Sequence, residues 1–99
     1  MKVIMVRYKV KPDQTEKNKD YIRKVFAALA KQAPANFRYS SFVMEDGVSF
    51  VHIVANSGDS NPLADLPEFK EFTAEIKARC EEPPVATPLQ EVGAYNFFV

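Results

Sequence analysis

The sequence predicts an α+β fold, a ferredoxin-like βαββαβ domain whose four-stranded antiparallel sheet carries two helices on one face. Three observations predict it. Hydrophobic spacing switches between strand-like and helical along the chain in the order β-α-β-β-α-β. Asp46-Gly47 stands between the two central extended runs, a strong short-range hairpin signal. The 99 residues contain no repeat, linker or low-complexity stretch, so residues 1–99 read as a single domain.

The first strand is expected from Val3 to Lys11, a run of β-branched and aromatic residues ended by Pro12. Asp13 and Glu16 form a capping-box pattern, after which Tyr21, Ile22, Val25, Phe26 and Leu29 recur at helical spacing. This first helix is expected to reach Ala33 and stop before Pro34. Phe37 to Glu45 and Val48 to Asn56 read as the second and third strands, and Ser57 to Ala64 as a polar surface loop. Asp65, Pro67 and Glu68 supply cap, early-turn proline and capping acid for a second helix. Phe69, Phe72, Thr73, Ile76 and Cys80 line one of its faces, and Pro83-Pro84 stops it. From Val85 to Phe98 a fourth strand is expected, with a bulge at Gly93. Its register is open, and with it whether Glu91, Tyr95 and Asn96 share a face with His52.

A two-residue turn makes Glu45 face Val48, which in turn pairs Val43 with Phe50, Ser41 with His52 and Tyr39 with Val54 on one face. The other face pairs Phe42 with Val51 and Ser40 with Ile53. Both faces are largely apolar, yet two helices cover only one. Leaving the other in water forfeits roughly 1.5 to 3 kcal/mol per large side chain, so a second copy packed sheet to sheet is the expected partner, a homodimer.

Composition narrows the function classes. Thirteen basic residues balance 13 acidic ones, so no net field draws in nucleic acid or an anionic membrane. One cysteine, Cys80, forms neither an internal disulfide nor a cysteine cluster, and with the early charges of Lys2 and Arg7 this points to a soluble, cytoplasmic protein. Asp46 to Ile53 superficially matches an RNA-recognition strand. Asp46, Val48 and Ile53, however, replace the basic and stacking residues that such a strand needs.

His52, the only histidine, is the candidate catalytic residue, since a neutral imidazole serves as a general base near pH 7. The same residue also reads as a core histidine bonded to Ser41 or to a backbone carbonyl. Phe37, Tyr39, Ser41 and Phe50 share its face and are the candidate substrate-binding residues, the two hydroxyls as donors to a ligand oxygen. No metal site is expected, because there is no second histidine to build one. Cys80 reads as a small buried hydrophobe, and Arg7 as the point where its strand meets solvent.

The run Val6-Arg7-Tyr8-Lys9-Val10-Lys11-Pro12, the strand Phe50 to Ala55 and the opening Pro67-Glu68-Phe69-Lys70-Glu71-Phe72 together resemble the antibiotic biosynthesis monooxygenase family of the dimeric α/β-barrel superfamily. Phe69 and Phe72 match the family's helix phenylalanines, whereas Asn56 and Glu68 stand where it commonly carries Trp and His. The resemblance implies a homodimer, a cavity between sheet and helices, and oxygenation of an aromatic or quinol substrate without metal or flavin cofactor. On that reading His52 takes a proton and Ser57 to Ala64 is a lid. The alternative is a non-catalytic dimeric binding or assembly module in which the same residues serve as packing.

Overall fold

The computed structural model describes residues 2–96. Its elements follow the expected order: β1 (Lys2–Val10), a 3₁₀ turn (Pro12–Gln14), α1 (Thr15–Gln32), β2 (Phe37–Val43), β3 (Ser49–Asn56), a second 3₁₀ turn (Pro62–Asp65), α2 (Pro67–Ala74), α3 (Ile76–Arg79) and β4 (Cys80–Leu89). The strands lie in the order β2-β3-β1-β4, each neighbour antiparallel. This is the predicted four-stranded ferredoxin-like sheet.

Alternation sets the two faces of that sheet. Tyr8, Val10, Phe50 and His52 turn inward and meet Val25 of α1, Phe72 of α2, and Leu63 and Leu66 of the connection before α2. The register Tyr39↔Val54, Ser41↔His52 and Val43↔Phe50 is the one the hairpin predicts. The turn itself is wider than two residues. The chain reverses through Glu45 and Asp46, Gly47 N–H donates to Met44 O at 3.0 Å, and Gly47 sits at φ 76°. β2 therefore ends at Val43 and β3 begins at Ser49.

Four local expectations are corrected. Asp13 makes no cap: it lies in the first 3₁₀ turn, and Thr15 Oγ1 instead donates to Gly47 O at 3.0 Å, tying α1 to the hairpin. Asp65 likewise belongs to a 3₁₀ turn whose cap is Asn61, the side chain of which accepts from Leu63 N–H. The second helix breaks at Glu75 and ends at Arg79, and β4 begins at Cys80 and runs through Pro83-Pro84. An edge strand tolerates prolines because one row of its N–H groups needs no ladder partner. The irregularity in this strand pair falls near Lys9 and Glu82, not at Gly93, which lies beyond β4 together with Glu91, Tyr95 and Asn96. Phe97 and Phe98 are outside the described residues.

The outer face of the sheet carries Val3, Met5, Phe42, Val51, Ile53, Val85 and Leu89. Phe42 is 48% and Val85 62% exposed, and residues 90–95 border a groove of about 530 Å³ along Val3, Ile53 and Ala55. No helix among the described residues is long and apolar enough to cross a membrane.

Candidate functional site

β3 delivers His52 to the centre of the inner face, between Ser41 on β2 and Val6 on β1. The residue is 3% exposed and its ring lies among aromatic neighbours: Tyr8, Tyr39 and Phe72 have ring centroids 5.3, 5.7 and 5.7 Å from it. Both ring nitrogens have partners. Nε2 is 2.7 Å from Tyr8 Oη, and Nδ1 is 2.7 Å from both Tyr39 Oη and Ser41 Oγ. Beyond Tyr8 the chain of bonds continues, because Asn18 Nδ2 donates to Tyr8 Oη at 2.8 Å and Arg79 Nε donates to Asn18 Oδ1 at 3.3 Å.

Burial governs the protonation of this cluster. It lowers His52 to about 4, so the imidazole is neutral at pH 7 rather than poised near its ordinary value. It pushes Tyr39 up to about 12 against a Ser41 hydrogen bond, and raises Tyr8 as well, against the bond from Asn18. Both phenols therefore keep their protons. The formal charge at the end of the chain is the Arg79 guanidinium, 3% exposed, stacked over the rings of Tyr21 and Phe72 at 4.6 and 5.5 Å.

Above the His52 ring lies a cavity of about 250 Å³ between sheet and helices. Val6, Tyr8, Tyr39, His52 and Val54 form its floor; Leu63, Phe69, Phe72, Thr73 and Ile76 form its roof, and Pro84 closes one side. Thr73 Oγ1 is turned to its own helix, donating to Phe69 O at 3.0 Å, and the cavity wall is almost wholly apolar, with the Tyr8, His52 and Tyr39 network buried behind it. The larger groove of about 500 Å³ beside Arg7, Lys9 and Glu82 shares only Tyr8 with this network.

Of the residues singled out by sequence, Tyr39 and His52 line the cavity, and Ser41 supports it through Nδ1. Phe50 stacks on Tyr8 at 5.5 Å, and Phe37 leans on Tyr39 at 6.3 Å, each one shell back from the cavity. Arg7 is exposed and Cys80 buried, its thiol raised by desolvation. The loop from Ser57 to Ala64 contributes Leu63 to the roof, while Asn56 grips the loop by accepting from Gly58 N–H at 2.9 Å and donating to Ser60 O at 2.8 Å. Tyr8, Asn18 and Arg79 escaped the sequence reading. The signal that could have found two of them is polarity on an otherwise apolar helical stripe: Asn18 recurs with Ile22, Val25 and Leu29, and Arg79 with Phe72 and Ile76.

No family profile matches the chain, and no curated protein matches it in sequence. Solved structures do match in shape. A crystal structure of an antibiotic biosynthesis monooxygenase superposes with a TM-score of 0.76 at 17% identity, over 94% of this chain and 100% of the other. The chain has the antibiotic biosynthesis monooxygenase fold. Within that fold it is also similar to a mutant form of SnoaB, a cofactor-independent oxygenase from Streptomyces nogalater, with a TM-score of 0.68, 17% identity and 97% of each chain covered. An uncharacterised NIPSNAP domain protein from Burkholderia xenovorans has a TM-score of 0.61 at 18% identity, covering 93% of this chain and 95% of its own. One architecture is thus shared by proteins of different description, and the reaction has to be argued from the site.

Proposed function

We propose that this protein is a small-molecule oxygenase of the antibiotic biosynthesis monooxygenase type, acting on a one- or two-ring phenol or quinol without metal or flavin. The carrying observation is the cavity of about 250 Å³, apolar almost throughout and backed by the buried hydrogen-bond network of Tyr8, His52 and Tyr39. A cavity of about 150 Å³ holds a benzene ring, so this volume takes one or two fused rings and is tight for three. An electron-rich phenol with a ring C–H para to its hydroxyl supplies all four electrons that O₂ needs. One oxygen atom ends on the para carbon and the other leaves with the two displaced hydrogens as water, the phenol becoming a quinone. The protein's part is to desolvate and orient the ring and to accept the hydroxyl proton at the Tyr8–His52 pair.

Oxygen uptake and quinone absorbance, measured across a series of one-, two- and three-ring phenols, test this. One O₂ consumed per quinone formed with the smaller members is the expected result, and His52→Gln should lower turnover on the order of 10²-fold or more. Absence of uptake across the whole series overturns the oxygenase reading. A second reading is favoured by the fact that both His52 nitrogens already have partners and that the imidazole is a weak base: a non-catalytic binding module for the same aromatic class. Saturable binding without oxygen consumption identifies it.

We further propose that two copies associate through the outer sheet face as a homodimer. Phe42, Val85 and Leu89 are exposed there beside half-buried Val51 and Ile53, apolar side chains that a second copy would take out of water.

A further inference from the structure

We propose that Arg79 and Asn18 are positioning residues that lock His52 in its Nδ1–H tautomer, which makes Tyr8 Oη the atom that receives a ligand's hydroxyl proton. The argument starts at the end of the chain of bonds where there is no choice. A guanidinium has only donors. Arg79 is pinned by Nη2–H donating to Phe72 O at 2.6 Å and by the two rings stacked over it, and its Nε–H points at the Asn18 side chain. The Asn18 oxygen must therefore face Arg79, and the Asn18 NH₂ must face Tyr8.

Each later bond then has one direction. Tyr8 Oη accepts from Asn18 at 2.8 Å, and its own proton has to find an acceptor because the group is buried. The partner that remains is His52 Nε2 at 2.7 Å, which accordingly carries no proton. A neutral imidazole then holds its hydrogen on Nδ1, facing Ser41 Oγ and Tyr39 Oη, both at 2.7 Å; either hydroxyl accepts it, since Tyr39 and Ser41 are only half-buried and, unlike Tyr8, need not place their own protons on the imidazole. Tyr8 Oη keeps one lone pair that no residue uses, and the Tyr8 ring forms part of the cavity wall beside it. A ligand hydroxyl that displaces the wall far enough to reach that lone pair passes its proton to oxygen while Tyr8 hands its own to Nε2. With the opposite tautomer Nε2–H would point at Tyr8, and the relay would have no sink.

The second observation is what Arg79 costs. It is buried, none of the ion pairs among the described residues includes it, and Nη1 has no hydrogen-bond partner. A buried guanidinium so incompletely satisfied is a poor device for stability alone. Setting the direction of the bonds below it is a role that an apolar residue of the same size cannot fill.

The inference deepens the phenol reading, on which only its last step rests, and the test separates the two. His52 is the single histidine, so selective ¹⁵N labelling gives one imidazole whose nitrogens NMR resolves without substrate. At pH 7 the native protein is expected to show a protonated Nδ1 and a bare Nε2; a proton on Nε2 overturns the proposal. In Asn18→Asp the side chain only accepts, so Tyr8 O–H turns to the new carboxylate, Nε2 loses its donor, and a proton is expected on Nε2. A folded Asn18→Asp variant with Nε2 still bare overturns the proposal too. Should that variant not fold, Arg79→Met carries the test: partial protonation at both nitrogens is expected, and an undiminished Nδ1–H form refutes the role of Arg79. Failure of every phenol to turn over, with the tautomers as expected, counts against the oxygenase and leaves the positioning role standing.

Discussion

Burial holds the His52 imidazole down to about 4, so between that value and its ordinary 6.5 the unfolded chain binds a proton that the native protein does not. Stability therefore rises with pH across this window; it is complete above 6.5 and lost as pH falls toward 4, by about 3 kcal/mol in all for a group so fully buried. Urea denaturation at pH 4.5 and 7.5 should show most of that difference in the native sequence, and His52→Gln should remove it. If the two proteins lose stability equally on acidification, the imidazole is not held neutral by the fold. His52 and its partner Ser41 were legible because a hairpin register is arithmetic. Asn18 and Arg79 were not, because a polar residue on an apolar stripe announces only that something must satisfy it. The partner for Asn18 lies 61 residues away at Arg79, and only packing of α1 against α3 brings the two together.

Two backbone positions with left-handed φ make opposite predictions at the level of the elements. Ala33 ends α1 at φ 44°, with its N–H donating to Leu29 O at 2.7 Å, a place where a Cβ is unwelcome. Ala33→Gly should raise stability by up to about 1 kcal/mol. Gly47, at φ 76° with open space around it, should lose about 1 kcal/mol when changed to Ala, entirely through conformation. Thermal denaturation of the two variants checks both signs, and a shift of the same sign in both would contradict the backbone argument. The hairpin also owes its shape to Asp46, whose carboxylate accepts from the Ser49 hydroxyl and from Ser49 and Val48 N–H and is lowered to about 2, first by the Ser49 hydroxyl. Strand and helix types were readable from hydrophobic spacing. The start of β4 was not, since Pro83-Pro84 signals a stop and only its edge position permits the strand to continue.

For the whole molecule the outer sheet face decides the expected assembly. Each large side chain that leaves water there contributes roughly 1.5 to 3 kcal/mol, so Phe42→Asp, which costs that much twice in a two-fold dimer, should raise the dimer dissociation constant at least about 10²-fold. Sedimentation equilibrium at micromolar concentration is expected to give a dimer for the native protein and a monomer for Phe42→Asp, with the His52 tautomer unchanged. A native monomer at that concentration removes the assembly, and the cavity, which lies on the opposite face, stands without it.

By itself the sequence determined the order of the elements, the register of the central hairpin and the two-sided apolar character of the sheet, because these follow from periodicity and turn chemistry within a few residues. Tertiary structure alone decided that the helices cover the His52 face, that Tyr8 and not Arg7 matters on β1, and that a buried line of hydrogen bonds runs from Arg79 to Ser41. The reason is one of range. Alternation and spacing act between neighbours in the chain, whereas burial, which sets the protonation of His52 and the direction of each bond around it, is a property of what the rest of the fold lays on top.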